Sequence, residues 1–176
     1  MDSLKQLAVE MVERAMKRGA SAAECMVREG REFSTTVRLD QVESLKEAGS
    51  KGLGLRVLVG QRSSGAYTSD FSAEALERVV SNTLAMARLT SEDPHAGLPE
   101  PELLGQNLGD LGLYCDDVQA LSTAQRIAIA RRAEKAALAA DPRIKNSEGA
   151  SLEAGDGRKI LANSLGFVGE YWSSFV

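Results

Sequence analysis

Phe33-Ser34-Thr35-Thr36-Val37-Arg38-Leu39-Asp40 is the stretch that decides the fold class. Phe33, Thr35, Val37 and Leu39 alternate with Ser34, Thr36, Arg38 and Asp40, the two-residue period of a half-buried strand. Other strand signals crowd around it. Ala23 to Arg28 reads as a short strand before it, and Val42 to Ala48 as another after it. Leu53, Leu55, Val57 and Val59 alternate again. Gly60-Gln61-Arg62-Ser63-Ser64-Gly65 reads as a turn, and Ala66 to Ser69 returns. Connections this short favour antiparallel neighbours.

Helices flank this block. Leu4, Leu7, Ala8, Met11 and Ala15 recur at helical spacing, so a first helix is expected from Ser3 to Lys17, capped by Asp2 or Ser3 and stopped at Gly19. A second is expected from Ser72 to about Leu89, with Ser72 as N-cap and Leu76, Val79, Val80, Thr83 and Ala87 on one face. A third starts at Ser122, where Ser122 and Gln125 have the spacing of a capping box. Its expected packing face is Ile129, Ala133, Ala136, Ala137 and Ala140, and Asp141-Pro142 ends it. Between the second and third helices, Ser91 to about Ala120 has no clear period and reads as an ordered connector draped over the surface, with a flexible linker as the alternative.

The last block is strand-like again. Arg143 to Ala154 and Arg158 to Ala162 read as a hairpin around Gly155-Asp156-Gly157. A strand is expected over residues 167–176. Phe167, Tyr171 and Phe175 share one of its sides, and Val168, Trp172 and Val176 the other. Both faces being partly apolar, it should be covered twice or meet a partner. The pattern runs unbroken to Val176, so the native chain is expected either to continue or to end against a partner there. Together these signals predict an α+β fold: an antiparallel or mixed sheet, about three helices packed against it, and two helix-plus-strands blocks.

Composition narrows function. The chain has 176 residues, 43% hydrophobic and only 5% aromatic, with a formal net charge of −4. That is enough chain for one domain with a core built on Leu, Val, Ile and Ala. No apolar run approaches the ~20 residues of a membrane-spanning helix. No basic segment followed by an apolar block opens the chain, so a cytoplasmic location is expected. The clearest basic cluster, Arg126, Arg131, Arg132 and Lys135, shares its helix with Glu134 and reads as a solvated face. Nucleic-acid binding would call for a concentrated positive footprint.

Chemistry-bearing residues are scarce. The single histidine, His95, sits in the loop-like Glu92-Asp93-Pro94-His95-Ala96-Gly97, and Cys25 and Cys115 are the only cysteines. No ligand spacing suited to zinc is present, and a Ser-His-Asp or Cys-His device would rest on His95 alone. No catalytic, cofactor-binding or metal-ligating residue is therefore assigned. Gly49-Ser50-Lys51-Gly52-Leu53-Gly54 fits neither a Walker loop nor a dinucleotide fingerprint, and reads as a bend or a close approach of strands. Asn146-Ser147-Glu148-Gly149 and Asn163-Ser164-Leu165-Gly166 repeat an Asn-Ser-x-Gly pattern suited to turns, which would also allow them to shape a cavity rim.

Taken in order along the chain, these motifs resemble the PmbA/TldD family. The residues that carry the resemblance are Glu43-Ser44-Leu45, the run from Gly52 to Gly60, Thr68-Ser69-Asp70, Glu92-Asp93-Pro94-His95-Ala96-Gly97-Leu98, Asn146-Ser147-Glu148-Gly149 and Leu161-Ala162-Asn163-Ser164. They are more similar to the PmbA (TldE) branch than to the TldD branch. The resemblance implies that residues 1–176 form an N-terminal domain whose C-terminal partner domain lies outside this chain. It implies a subunit of a cytoplasmic peptidase assembly, also known for modulation of DNA gyrase, that matures or degrades peptides inside a hollow dimer. Zinc, held by an H-E-x-x-x-H motif in the C-terminal half of TldD-type subunits, has no counterpart in this sequence.

Two functions are compatible with that resemblance. One is a non-catalytic domain that helps form the chamber admitting unfolded peptides, by main-chain pairing at a sheet edge near Phe33 to Leu39 or along residues 167–176. The other is a scaffold or dimerisation module that binds a TldD-like subunit or a second copy without touching substrate. A direct role on DNA conflicts with the acidic charge.

Overall fold

A computed structural model describes residues 3–105 and 109–176. Its elements in chain order are α1 (Ser3–Lys17), β1 (Ala22–Arg38), β2 (Gln41–Val59), β3 (Arg62–Thr68), α2 (Ala73–Ala87), a 3-10 turn (Pro101–Leu103), α3 (Asp116–Ala120), α4 (Thr123–Ala139), β4 (Ala150–Asn163) and β5 (Val168–Phe175). The strands form one antiparallel sheet in the order β3-β2-β1-β4-β5. The fold is α+β, as the alternation and short connections predict. The proposed cap at Asp2 and the connector residues 106–108 lie outside the described residues.

The strands are longer than their sequence signals. The two pieces read before Asp40 are one strand, β1, and the two read after it are one strand, β2. Gly49-Ser50-Lys51-Gly52 lies within β2 and makes no bend. Gly52 is there because the Tyr67 ring lies on it, where a Cβ would collide. The hairpin expected at Gly155-Asp156-Gly157 does not form either, and β4 runs straight through it. A Cβ on Gly155 would fall 2.7 Å from the Phe175 ring and 2.8 Å from the Arg31 carbonyl oxygen. In both places glycine answers a close approach, not a reversal. The expected turn from Gly60 to Gly65 shrinks to Gly60-Gln61, since Val59 pairs with Arg62; Gly60 takes φ 62° there. Residues 143–149 precede β4 and are not strand.

The described residues fall into two compact units. The first takes in the chain up to Glu29, Lys51–Leu111 and Arg158–Tyr171. Its core joins Ala8, Met11 and Ala15 of α1 to Leu76, Val80 and Leu84 of α2, over Cys25, Val27, Leu53, Leu55, Val57 and Ile160 from the strands. The apolar faces expected for both helices are therefore those buried. Ser72 caps α2, accepting a hydrogen bond from the Ala75 amide. A chain of charge, Lys5 to Glu170 to Arg158 to Glu29, lies in the same unit.

The second unit takes in Gly30–Ser50, Gly112–Gly157 and Trp172–Val176. Phe33, Val37, Leu152 and Ala154 of the strands pack with Val118 of α3 and Ala130 of α4. The capping box at Ser122 and Gln125 forms as its spacing predicts. The expected packing face of this helix does not. Ala130 and Glu134 are buried, Ile129 is half-buried, and Ala133, Ala136, Ala137 and Ala140 are exposed. The reason is Glu134. Its carboxylate accepts the Leu39 amide at 2.7 Å and the Asp40 amide at 3.1 Å, which fixes the helix's rotation. Arg126 also leaves the expected solvated face. Its guanidinium lies 4.8 Å over the Phe33 ring and donates to the Val118 carbonyl. The connector supplies α3 and the 3-10 turn, so the described residues hold four α-helices where three were expected.

Candidate functional site

His95 is exposed, with its backbone amide bonded to the Asp93 carboxylate in a local turn. Cys25 is buried in the first unit's core, and burial pushes its thiol up to about 12. A thiol so placed stays protonated and unreactive. Cys115 is exposed and free. Among the described residues no group of three His, Cys, Asp or Glu side chains could hold a metal ion, so these residues do not fit a zinc site. Both Asn-Ser-x-Gly segments do turn work. Asn163 Oδ1 accepts the Leu165 and Phe167 amides, and Ser147 Oγ accepts the Gly149 amide.

What the fold does offer is strand edges and open sheet face. The edge expected near Phe33 to Leu39 is not one. These residues belong to β1, which has β2 on one side and β4 on the other. The free edge is its neighbour. β3 pairs with β2 only over Leu53–Val59, so among the described residues the Gln41–Ser50 half of β2 has β1 on one side and no strand on the other. Nearly all of these residues are exposed, Val42 and Leu45 at 40% and 48%. Glu43, Lys46 and Glu47 dot this edge with charge, a pattern that opposes uncontrolled sheet growth. At the other edge, β5 is partly covered. The Ser174 amide donates to the Leu113 carbonyl at 2.9 Å, and Tyr114 meets Trp172 edge-on at 6.1 Å.

The first unit also carries a trough of ≈ 500 Å³. Strand alternation puts Ala23, Cys25 and Val27 into the core and leaves Glu24 and Met26 on the opposite face. Met26 and Tyr67 form its walls, Gly54 and Gly65 its floor, and Leu161 closes it on β4. At one end Arg56 donates to Glu24 at 2.7 Å and to the Gly97 carbonyl at 2.7 Å. Arg28, two residues beyond Met26, lies 5.5 Å over the Tyr67 ring. Sequence reading missed this trough. Its signal is present: Leu53, Leu55 and Val57 mark the core face of β2, which assigns Gly54 and Arg56 to the other.

The comparisons with known proteins agree with the resemblance read from the motifs. Residues 23–87 match the domain described as PmbA/TldA metallopeptidase domain 1, and residues 116–176 match the PmbA/TldA metallopeptidase central domain. The chain is 37% identical over 171 residues to the metalloprotease PmbA homolog of Haemophilus influenzae, covering 97% of this chain and 37% of that one. It is 36% identical over 155 residues to metalloprotease PmbA of Escherichia coli O157:H7, covering 88% and 34%. The chain thus spans little more than a third of these curated relatives. A crystal structure of a candidate modulator of DNA gyrase from Bacteroides thetaiotaomicron superposes with a TM-score of 0.88 at 27% identity, over 99% of this chain and 39% of that one. TldE from Thermococcus kodakarensis shares the fold at a TM-score of 0.75 and 16% identity, over 94% and 36%. The 176-residue chain belongs to the PmbA/TldD family.

Proposed function

We propose that this chain is a non-catalytic part of a cytoplasmic PmbA/TldD-type metallopeptidase assembly and helps form the chamber that admits unfolded peptides. The observation that carries this reading is the unpaired Gln41–Ser50 edge of β2. An extended peptide laid along it gains main-chain hydrogen bonds with little regard to sequence, which suits a subunit handling unfolded chains. The charges on Glu43, Lys46 and Glu47 leave room for a transient guest while discouraging permanent stacking.

Hydrogen exchange on the chain, with and without an unfolded peptide, tests it. Added peptide should slow exchange of the outward amides between Gln41 and Ser50. Unchanged exchange there at saturating peptide overturns the reading.

A second reading rests on β5, where Trp172 and Phe175 stay 46% and 51% exposed. Aromatic side chains are the usual anchors of protein interfaces. Under this reading the strand meets a TldD-like subunit or a second copy, and the chain serves as a scaffold. Crosslinking in the full assembly separates the two. Peptide captured at β2 supports the chamber, whereas a partner subunit captured at β5 with no peptide anywhere supports the scaffold.

A further inference from the structure

Two kinds of glycine occur in this sheet. Gly52 and Gly155 are forced, since a Cβ at either would strike an aromatic ring. Gly54 and Gly65 are not. A Cβ on Gly54 would meet nothing within 4 Å, and one on Gly65 only the Leu55 carbonyl oxygen at an ordinary 3.7 Å. Neither takes positive φ. A glycine inside a strand weakens it, and where neither backbone nor neighbours require one, it marks room kept for something else. The room here is the trough, whose floor these two glycines form.

The trough's chemistry says what fits. Its sides are Met26, Leu161 and the Tyr67 ring, so an aliphatic group is favoured, and methionine adapts to several shapes. Charge is unevenly placed along it. Glu24 is neutralised by Arg56 at 2.7 Å. Arg28 reaches the Tyr67 hydroxyl at 3.4 Å, and no carboxylate lies within ion-pair distance of it among the described residues. An aliphatic group carrying a carboxylate complements that arrangement. The trough is open along its top. That favours a peptide end over a long acyl chain, which needs an enclosed cavity.

We infer that the trough binds the C-terminal residue of a peptide, its aliphatic side chain over Gly54 and its carboxylate on Arg28. This deepens the peptide-admitting reading and rests on it. The trough would hold the chain end, while the β2 edge holds main chain at any point along a peptide.

The test uses the 176-residue chain with methyl-labelled methionine and a Gly-Ser-rich peptide ending in Leu. The free acid should move the Met26 methyl resonance and bind about tenfold tighter than the same peptide amidated, the cost of losing a charge-assisted bond. Arg28→Gln should abolish that preference. Gly54→Val should abolish binding in the trough while leaving the melting temperature unchanged or raised, which separates a filled site from a damaged fold. Equal binding of acid and amide, a motionless Met26 methyl, or full binding by Gly54→Val each overturns the inference. If the methyl stays still while Gln41–Ser50 is protected by peptide, only this inference fails. If that protection is absent too, the peptide-admitting reading falls with it.

Discussion

Leu39 and Asp40 take φ of 47° and 65°, the left-handed region, at the turn between the two longest strands. That conformation costs an ordinary L-residue roughly 1–2 kcal/mol, and hairpins of this kind normally use Asn-Gly. Glu134 makes the turn tenable by accepting both of its amides. The Asp40 amide bond, then the Leu39 amide, the Ser147 hydroxyl and the Arg38 charge hold the Glu134 carboxyl below its ordinary value, against desolvation. A lowered folded value means its stabilisation is complete above the unfolded value, 4.5, and is lost as pH falls through the folded one. Glu134→Gln should therefore lower the melting temperature more at pH 7 than at pH 3, as paired thermal melts would show. Asp40→Gly should raise stability by about 1 kcal/mol in denaturant titrations, because the Arg131–Asp40 pair it removes is exposed and worth little. Neither residue announces this in the sequence. Strand alternation stops at the right place, but the turn lacks Gly or Asn, and its support stands 94 and 95 positions away.

At the scale of elements, what the sequence reveals follows from how local each cause is. Helix caps depend on residues three apart, so Ser72 and the Ser122–Gln125 box are readable, and Ser122→Ala should cost about 1 kcal/mol in urea unfolding. The faces of α1 and α2 are readable because their apolar stripes match the period. The face of α4 is not, because alanine suits either core or solvent and a distant turn decides the rotation. Strand lengths fail for a similar reason. Gly155-Asp156-Gly157 looks like a turn until Phe175 and Arg31 are seen pressing on Gly155. Gly155→Val should then cost about 1–3 kcal/mol by overpacking, in contrast to the indifference expected of Gly54→Val, a difference that denaturant midpoints would expose. The free edge is likewise invisible in sequence. Only the strand order shows that β1 is interior and the first half of β2 is not.

For the whole molecule, the first unit's core rests on a few large side chains, because aromatics are few. Met11 is fully buried there, and Met11→Ala should cost about 2–5 kcal/mol by transfer and cavity terms together, read from denaturant unfolding. No helix among the described residues is long and apolar enough to cross a membrane. Of the candidate surfaces, the sequence displayed the aromatic alternation of β5 but hid the trough, whose walls come from four strands separated along the chain.

Four strands, β1, β2, β4 and β5, contribute to both compact units, and that interlacing bears on how the chain can be divided. The first matched segment, residues 23–87, carries β1 to β3, and the second, residues 116–176, carries β4 and β5. Severing them parts β1 from β4 in the middle of the sheet. Each fragment synthesised by itself would bare a long interior strand and tend to precipitate, while the two made together could re-anneal by complementation. Neither piece is a module to be transplanted, and genetic dissection of this protein should proceed by substitution, with the polypeptide left whole.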